Sequence, residues 1–423
     1  MRDHDLRYSL ANELHARPFP SLSAPCRAIH LAIKQPTDAA SRDRRLDRAH
    51  LIDLLDRHGA QHPHPGATHY FGQIGKHHLK WESHTEFVTY TLFCDGVAQR
   101  PFDGRSFELF PKDWLENAPG VRVTSMLIRI EKLDDFSSVS QKVSDWFVHE
   151  SVAVSEVIDG AAVIAGDFRI DPQGHMRMAV FVAPGTGSSR IGRIVQRLAE
   201  IETYKSMSML GLAMARELSG QMNRLETDLS EMVDDMRKAD ARPDATLESL
   251  LATAADLENL ATKSTFRFGA TGAYEALVNQ RISALREVRF DGRQTFAEFM
   301  MRRFDPAMRT VKASERRLSS MTDRAIRAGE LLRTRVDVER SAQNQQLLES
   351  MDKRADMQLR LQRTVEGLSV VAISYYALSL VLYVLAPLEY SLGVSKPVLG
   401  AVTAPLVVAG VWATLRRIRR EME

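Results

Sequence analysis

The spacing of apolar positions changes character twice along this chain. Up to about residue 186 they come in short, partly alternating bursts, the pattern of strands. Cys26–Lys34 (CRAIHLAIK) reads as a first strand, and Ser41–His58 as a charged amphipathic helix with Leu46, Leu51, Leu54 and Leu55 on one side. His78–His84 and Phe87–Phe93, rich in Trp, Tyr, Val, Thr and Phe, read as neighbouring strands. Val121–Glu131 and Ala161–Arg169 continue the sheet, with Asp135–Val148 predicted helical between them. Met176–Val182 follows the turn signal Asp171-Pro172-Gln173-Gly174 and completes a last hairpin. Pro184–Ser189 (PGTGSS) punctuates the boundary.

From Ser189 the period lengthens. Leu218, Met222, Leu225, Leu229, Met232 and Met236 alternate four and three apart, the seam of a packed or coiled helix. Thr246–Arg289 and Arg293–Arg303 predict further helices, with Pro306 as a local break. The repeat Leu318, Met321, Ala325, Ala328, Leu332 then opens a long helix, whose apolar seam fades between Asp337 and Gln346.

The third pattern is uninterrupted. Gly367–Leu385 (GLSVVAISYYALSLVLYVL) carries no charge over nineteen residues. At about 1.5 Å per residue that is roughly 28 Å, close to the ~30 Å hydrocarbon core of a bilayer. A second uncharged run, Val398–Leu415, follows a twelve-residue linker, which implies an antiparallel pair of spans. The class these elements predict is α+β with membrane helices. It comprises an N-terminal α/β sheet domain over 1–187, a helical, coiled stalk over 188–366, a two-span transmembrane hairpin over 367–415 and a basic tail over 416–423.

Charge orients the hairpin. Arg354, Arg360 and Arg363 precede the first span and Arg416, Arg417, Arg419 and Arg420 follow the second, against one lysine in the linker. The positive-inside bias puts both termini in the cytoplasm, with the membrane spanned twice. Over the whole chain the charges nearly cancel, 56 Lys+Arg against 54 Asp+Glu, so no nucleic-acid partner is expected. The N-terminus lacks an apolar h-region, so no cleaved signal peptide is expected. Two cysteines, Cys26 and Cys94, fit neither metal nor disulfide spacing and read as buried thiols.

Chemistry-bearing residues are concentrated early. His58, His62, His64, His69, His77, His78 and His84 fall close together, and His62, His64 and His69 are weak candidates for a metal. The turn-rich His62-Pro63-His64-Pro65-Gly66 favours a solvated loop over a site, and Gln73–Lys76 is too thin for a phosphate loop. Glu82, His84 and Glu86 alternate, an arrangement suited to acid–base work on one face, to the polar outside of a sheet or to a buried turn network. Asn12–Pro18 (NELHARP) reads as a segment that docks the N-terminus. No Ser-His-Asp elbow, nucleotide fingerprint or Walker loop occurs, so neither an enzyme nor a cofactor is expected. In the first span, Gln362, Ser369, Tyr376 and Tyr383 recur every seven residues with Ser379 beside them, one polar stripe on an apolar helix. Such a stripe reads as a contact across the hairpin, a contact between subunits, or a pore lining. Glu366 and Glu389 are the acids at the two mouths.

Several stretches resemble the bacterial family of membrane-anchored proteins carrying domain of unknown function 3422. These are Glu13–Pro18 (ELHARP), Trp81-Glu82 with His84–Phe87, Pro306–Thr310, Leu331–Val336 and, longest, Gln358–Tyr376 (QLRLQRTVEGLSVVAISYY). After the last, Ala377–Leu380 stands where the resemblance leads one to expect a Val-Gly type sequence. The order of parts is similar to the CorA class of divalent-cation channels, pentamers whose first span lines the pore. Leu385-Ala386-Pro387-Leu388 replaces that class's Gly-Met-Asn signature, which puts Mg²⁺ selectivity and conduction in question. The resemblances imply a membrane-anchored homo-oligomer, either a divergent CorA-like channel or transporter for a divalent cation, or a non-conducting scaffold or sensor. The partners this reading expects are the lipid bilayer and further copies of the chain.

Overall fold

In the computed structural model, residues 3–8, 11, 19–37, 41–236, 243–392 and 395–422 are described. The chain divides into two units, Met1–Ala241 with Glu248–Ala328, and Arg242–Leu247 with Gly329–Glu423.

The first unit is built on a nine-stranded sheet in the order β2-β3-β4-β1-β5-β8-β7-β6-β9. Its strands are β1 (Cys26–Lys34), β2 (His69–Ile74), β3 (His77–Ser83), β4 (Phe87–Asp95), β5 (Val121–Lys132), β6 (Ala153–Val157), β7 (Ala162–Gly166), β8 (Met176–Val182) and β9 (Val288–Arg289). All neighbours are antiparallel except β5 and β8, which run parallel. Strand β1 is buried along almost its whole length, because both faces of the sheet are covered there.

One face carries the apolar half of the alternation. Ile29, Leu31, Leu79, Trp81, Tyr90 and Leu92 pack with Leu51, Leu54 and Leu55 of α1 (Arg44–Arg57) and Trp114 of α2 (Lys112–Glu116). The three α1 leucines have no exposed surface, each contributing about 1.5–3 kcal/mol of burial. Leu46, expected on the same side, is 52% exposed. In that first turn the buried side chain is Asp47, held by Arg42 Nε at 2.7 Å. A second cluster, with Val139 and Val143 of α3 (Phe136–Trp146) and Phe181 of β8, covers the other half of the sheet.

The opposite face lies under α4 (Ser188–Asp235), a 48-residue helix. Against α4 runs α5 (Pro243–Ser283), and the two approach closely where a Cβ on Gly211 would lie 2.2 Å from Thr271 Oγ1. Then follow α6 (Phe296–Arg303), opened by a Thr295/Glu298 capping box, and α7 (Asp305–Leu392). The local break expected at Pro306 falls at Phe304, between α6 and α7; Pro306 is the second residue of α7, where its missing N–H costs nothing. The seam residues Leu218, Met222 and Leu229 of α4 and Leu318, Met321 and Ala325 of α7 are all buried. Arg317 pairs with Glu226, and Lys312 with Glu275, so these seams are used inside one chain.

Three strands escaped the hydrophobic pattern. Strand β2 absorbs His69, and Gln73–Lys76 is the β2–β3 hairpin turn, with Gly75 at a φ of 55°. Strand β6 is a short run beside α3, and β9 is two residues taken from the end of the segment expected to be helix.

The second unit holds α7 from Gly329 onward and α8 (Lys396–Met422), which carries Pro405 inside it. Both helices contain a stretch long and apolar enough to cross a membrane.

Candidate functional site

The sheet face under α4 is polar where β1, β3 and β4 meet it. Register sets this: His30 sits opposite Thr91, Lys80 opposite Thr91 on its other side, and Glu82 opposite Thr89. From α4, Gln196, Glu200 and Thr203 come down at helical spacing. His30 is held at both nitrogens, Nδ1 to Thr91 Oγ1 and Nε2 to Thr203 Oγ1, each 2.8 Å. Thr203 Oγ1 already donates to the Ala199 carbonyl at 2.8 Å, so it accepts from His30 and the imidazole proton is on Nε2. Thr91 then donates to Nδ1. Burial, reinforced by His84 and Lys80, pushes the His30 pKa down to about 3, so this ring is neutral.

Lys80 Nζ donates to Gln196 Oε1 at 2.7 Å and lies 3.3 Å from Glu82. Gln196 passes the chain to Glu200 at 2.8 Å, and Glu200 pairs with Arg281 of α5. The cavity these residues enclose holds about 20 Å³, room for roughly one water molecule. A layer with a neutral histidine and a paired lysine, and so little space, ties α4 to the sheet and offers no room for a substrate.

The turn from Trp81 to Phe87 joins this layer. Its expected single face of Glu82, His84 and Glu86 does not form. Glu82 lines the cavity with His84, while Glu86 turns away and is fully buried, where Arg267 and the Tyr274 hydroxyl (2.9 Å) of α5 meet it. The chain leaves strand geometry after Ser83, so alternation no longer holds beyond it. Arg42 braces the turn from the other side, donating to the carbonyls of His84 (2.8 Å) and Phe87 (3.1 Å). His84 stacks on Phe87 at 4.3 Å, edge-on to Tyr204. The buried turn network is therefore the reading this stretch bears out. Its partners Arg267 and Tyr274, seven residues apart on α5, carried a usable signal, as did Thr89 and Thr91 alternating with apolar neighbours.

The remaining candidates are scattered. His62 Nε2 is 2.6 Å from Asp56 Oδ1, the His64 carbonyl closes a turn with Ala67, and His69 stands opposite Glu82 in the β2–β3 register. Among the described residues no group of three or more His, Cys, Asp or Glu could hold a metal ion. Cys26 and Cys94 are free, buried and on opposite faces of the β1–β4 pair. Burial pushes their thiols up to about 12 and about 11. Asn12–Pro18 and the Glu389 side chain lie outside the described residues.

In the apolar stretch of α7, Ser374 is buried and Ser369, Val370, Ala377, Leu378, Ser379, Val381, Leu382 and Leu385 are half-buried. Ser374 is 6% exposed and its hydroxyl has no hydrogen-bond partner. On α8 the half-buried set is Leu399, Gly400, Thr403, Ala404, Val407, Val411 and Leu415. Tyr376 is two residues past Ser374, about 200° round the helix at roughly 100° per residue. The two tyrosines of the stripe therefore lie on the side opposite Ser374, while its serines Ser369 and Ser379 are half-buried. Tyr376 is 69% and Tyr383 81% exposed. Ser369 and Ser379 donate back to the carbonyls of Val365 (2.8 Å) and Tyr375 (2.9 Å), and Gln362 bonds Glu366 at 3.1 Å.

A family profile described as "Protein of unknown function (DUF3422)" matches residues 2–422. No curated protein and no solved structure matches the chain.

Proposed function

Because the chain belongs to this family of proteins of unknown function over nearly its whole length, we propose its role from its architecture: a self-assembling, membrane-anchored scaffold or sensor. The sheet domain and its helices stand on the cytoplasmic side of a bacterial inner membrane, with both termini inside and a two-span hairpin as anchor. One observation carries this reading. The phenols of Tyr376 and Tyr383 lie on the face of the first span turned away from the Ser374 seam. A hydroxyl left unpaired in hydrocarbon costs about 4–8 kcal/mol on a cyclohexane scale. Membrane hydroxyls accordingly face protein or water. A neighbouring subunit supplies the protein.

A second reading draws on the same stripe. Around a symmetry axis its hydroxyls would line water, with Glu366 and Glu389 drawing a divalent cation to the mouths, as in a CorA-like channel or transporter. The self-bonded serines and the sequence at Leu385–Leu388 weigh against it.

Cysteine placed at Tyr376 and Ser379 separates the two. As a dry contact, neither reacts with a small aqueous thiol reagent any faster than cysteine at Val371 or Leu382, and liposomes carrying the protein pass no Mg²⁺. Selective labelling of the stripe together with cation flux would replace the scaffold by the channel.

A further inference from the structure

Residues 337–365 of α7 are exposed on every side of the helix. Such a stretch is ordinarily charged all round. Here it is not: Leu348, Met351 and Val365 are 65%, 64% and 53% exposed. Eight charges lie between Ser341 and Glu366, four of each sign. Of the seven heptad frames only one avoids all of them: Ser341, Asn344, Leu348, Met351, Ala355, Gln358, Gln362, Val365. Continued into the span, the same frame reads Ser369, Ala372, Tyr376, Ser379, Tyr383, which is the polar stripe. The seam thus runs unbroken from the soluble helix into the membrane.

We infer that this seam is covered by the same seam of a second copy, packed in parallel from Ser341 to Tyr383. The inference rests on the self-assembly proposed above and names its contact. Identical copies insert with the same topology, so their α7 helices run in one direction and each residue meets its counterpart. Gln358, Gln362 and Asn344 then pair like with like, the polar core positions that fix register in coiled coils. Balanced charge on the flanks selects a copy over an acidic or basic stranger, because neither sign is left to attract one. Leu347, Leu359 and Leu361 border the frame and widen the apolar strip.

Oxidative crosslinking of the full-length protein in native membranes tests this. Gln358→Cys and Gln362→Cys should give a disulfide-linked dimer. Lys353→Cys and Arg360→Cys, on the outer side of the same helix, should give none. All four positions are exposed, so folding is not at stake, and the unmodified chain is a blank because Cys26 and Cys94 are buried. The mass of the detergent-solubilised protein is read alongside. An oligomer that crosslinks equally or better at 353 and 360 overturns the seam and leaves self-assembly standing. A crosslinked species whose added mass is not that of a second copy overturns the partner. A monomer with no crosslink anywhere overturns both.

Discussion

Glu86 and Arg267 are a carboxylate and a guanidinium buried against each other, with side-chain exposures of 0% and 11%. Removing one member leaves the other charged and unpaired, which typically costs about 3–5 kcal/mol. Glu86→Gln should therefore melt well below the unmodified protein, and adding Arg267→Met should recover much of the loss. Equal melting of Glu86→Gln and the unmodified chain would show that the pair is not closed in solution. His30 makes a pH-dependent case. Its folded pKa, about 3, lies below the ordinary value near 6.5. As pH falls through 6.5 the unfolded chain takes up a proton that the folded chain refuses, so stability is lost down to about pH 3, at up to about 1.4 kcal/mol per pH unit. Burial lowers His50 and His175 in the same direction. His30→Gln should flatten the fall of melting temperature between about pH 6.5 and pH 4, and an unchanged slope would mean that His30 does not contribute.

At the scale of elements, β1 and β8 were legible to the residue, because a strand covered on both faces is a dense apolar run between turn signals. Strand β9 was not legible. Two residues, Val288 and Arg289, both exposed, carry no period, and only pairing with Glu156 and Ser155 makes them a strand. The polar layer was half legible. Glu82 and His84 were visible as a cluster, but alternation alone could not tell the outside of a sheet from a face roofed by α4, whose Gln196 and Thr203 lie more than a hundred residues away. In the apolar stretch of α7 the seven-residue stripe was plain, whereas Ser374 was hidden, since a lone serine among apolar residues has no phase. These long-range debts bear on where the chain can be cut. A fragment ending at residue 187 lacks α4 over one sheet face and β9 at its edge. It should be recovered as aggregate, while a fragment ending at Ala328 should be soluble and folded. A soluble, cooperatively melting 1–187 would show that the sheet stands without its roof.

For the whole molecule the proposed topology makes a direct prediction. A reporter active only in the cytoplasm should work when fused after Glu423 and stay silent when inserted at Ser391; the reverse pattern would invert the anchor. The late position of β9 has a consequence for how the molecule is made. The sheet cannot be closed until Arg289 has left the ribosome, and about 80 residues remain before the first span begins at Gly367. At about 5–20 residues per second this interval lasts about 4–16 s. Domains dominated by non-local strand pairing fold in milliseconds to seconds, so the interval is long enough for the sheet to finish. On the proposed topology, the hairpin therefore emerges from a chain whose sheet is already closed. On that topology, a mutation in the sheet would first be felt as a misfolded nascent chain, before the apolar helices are made.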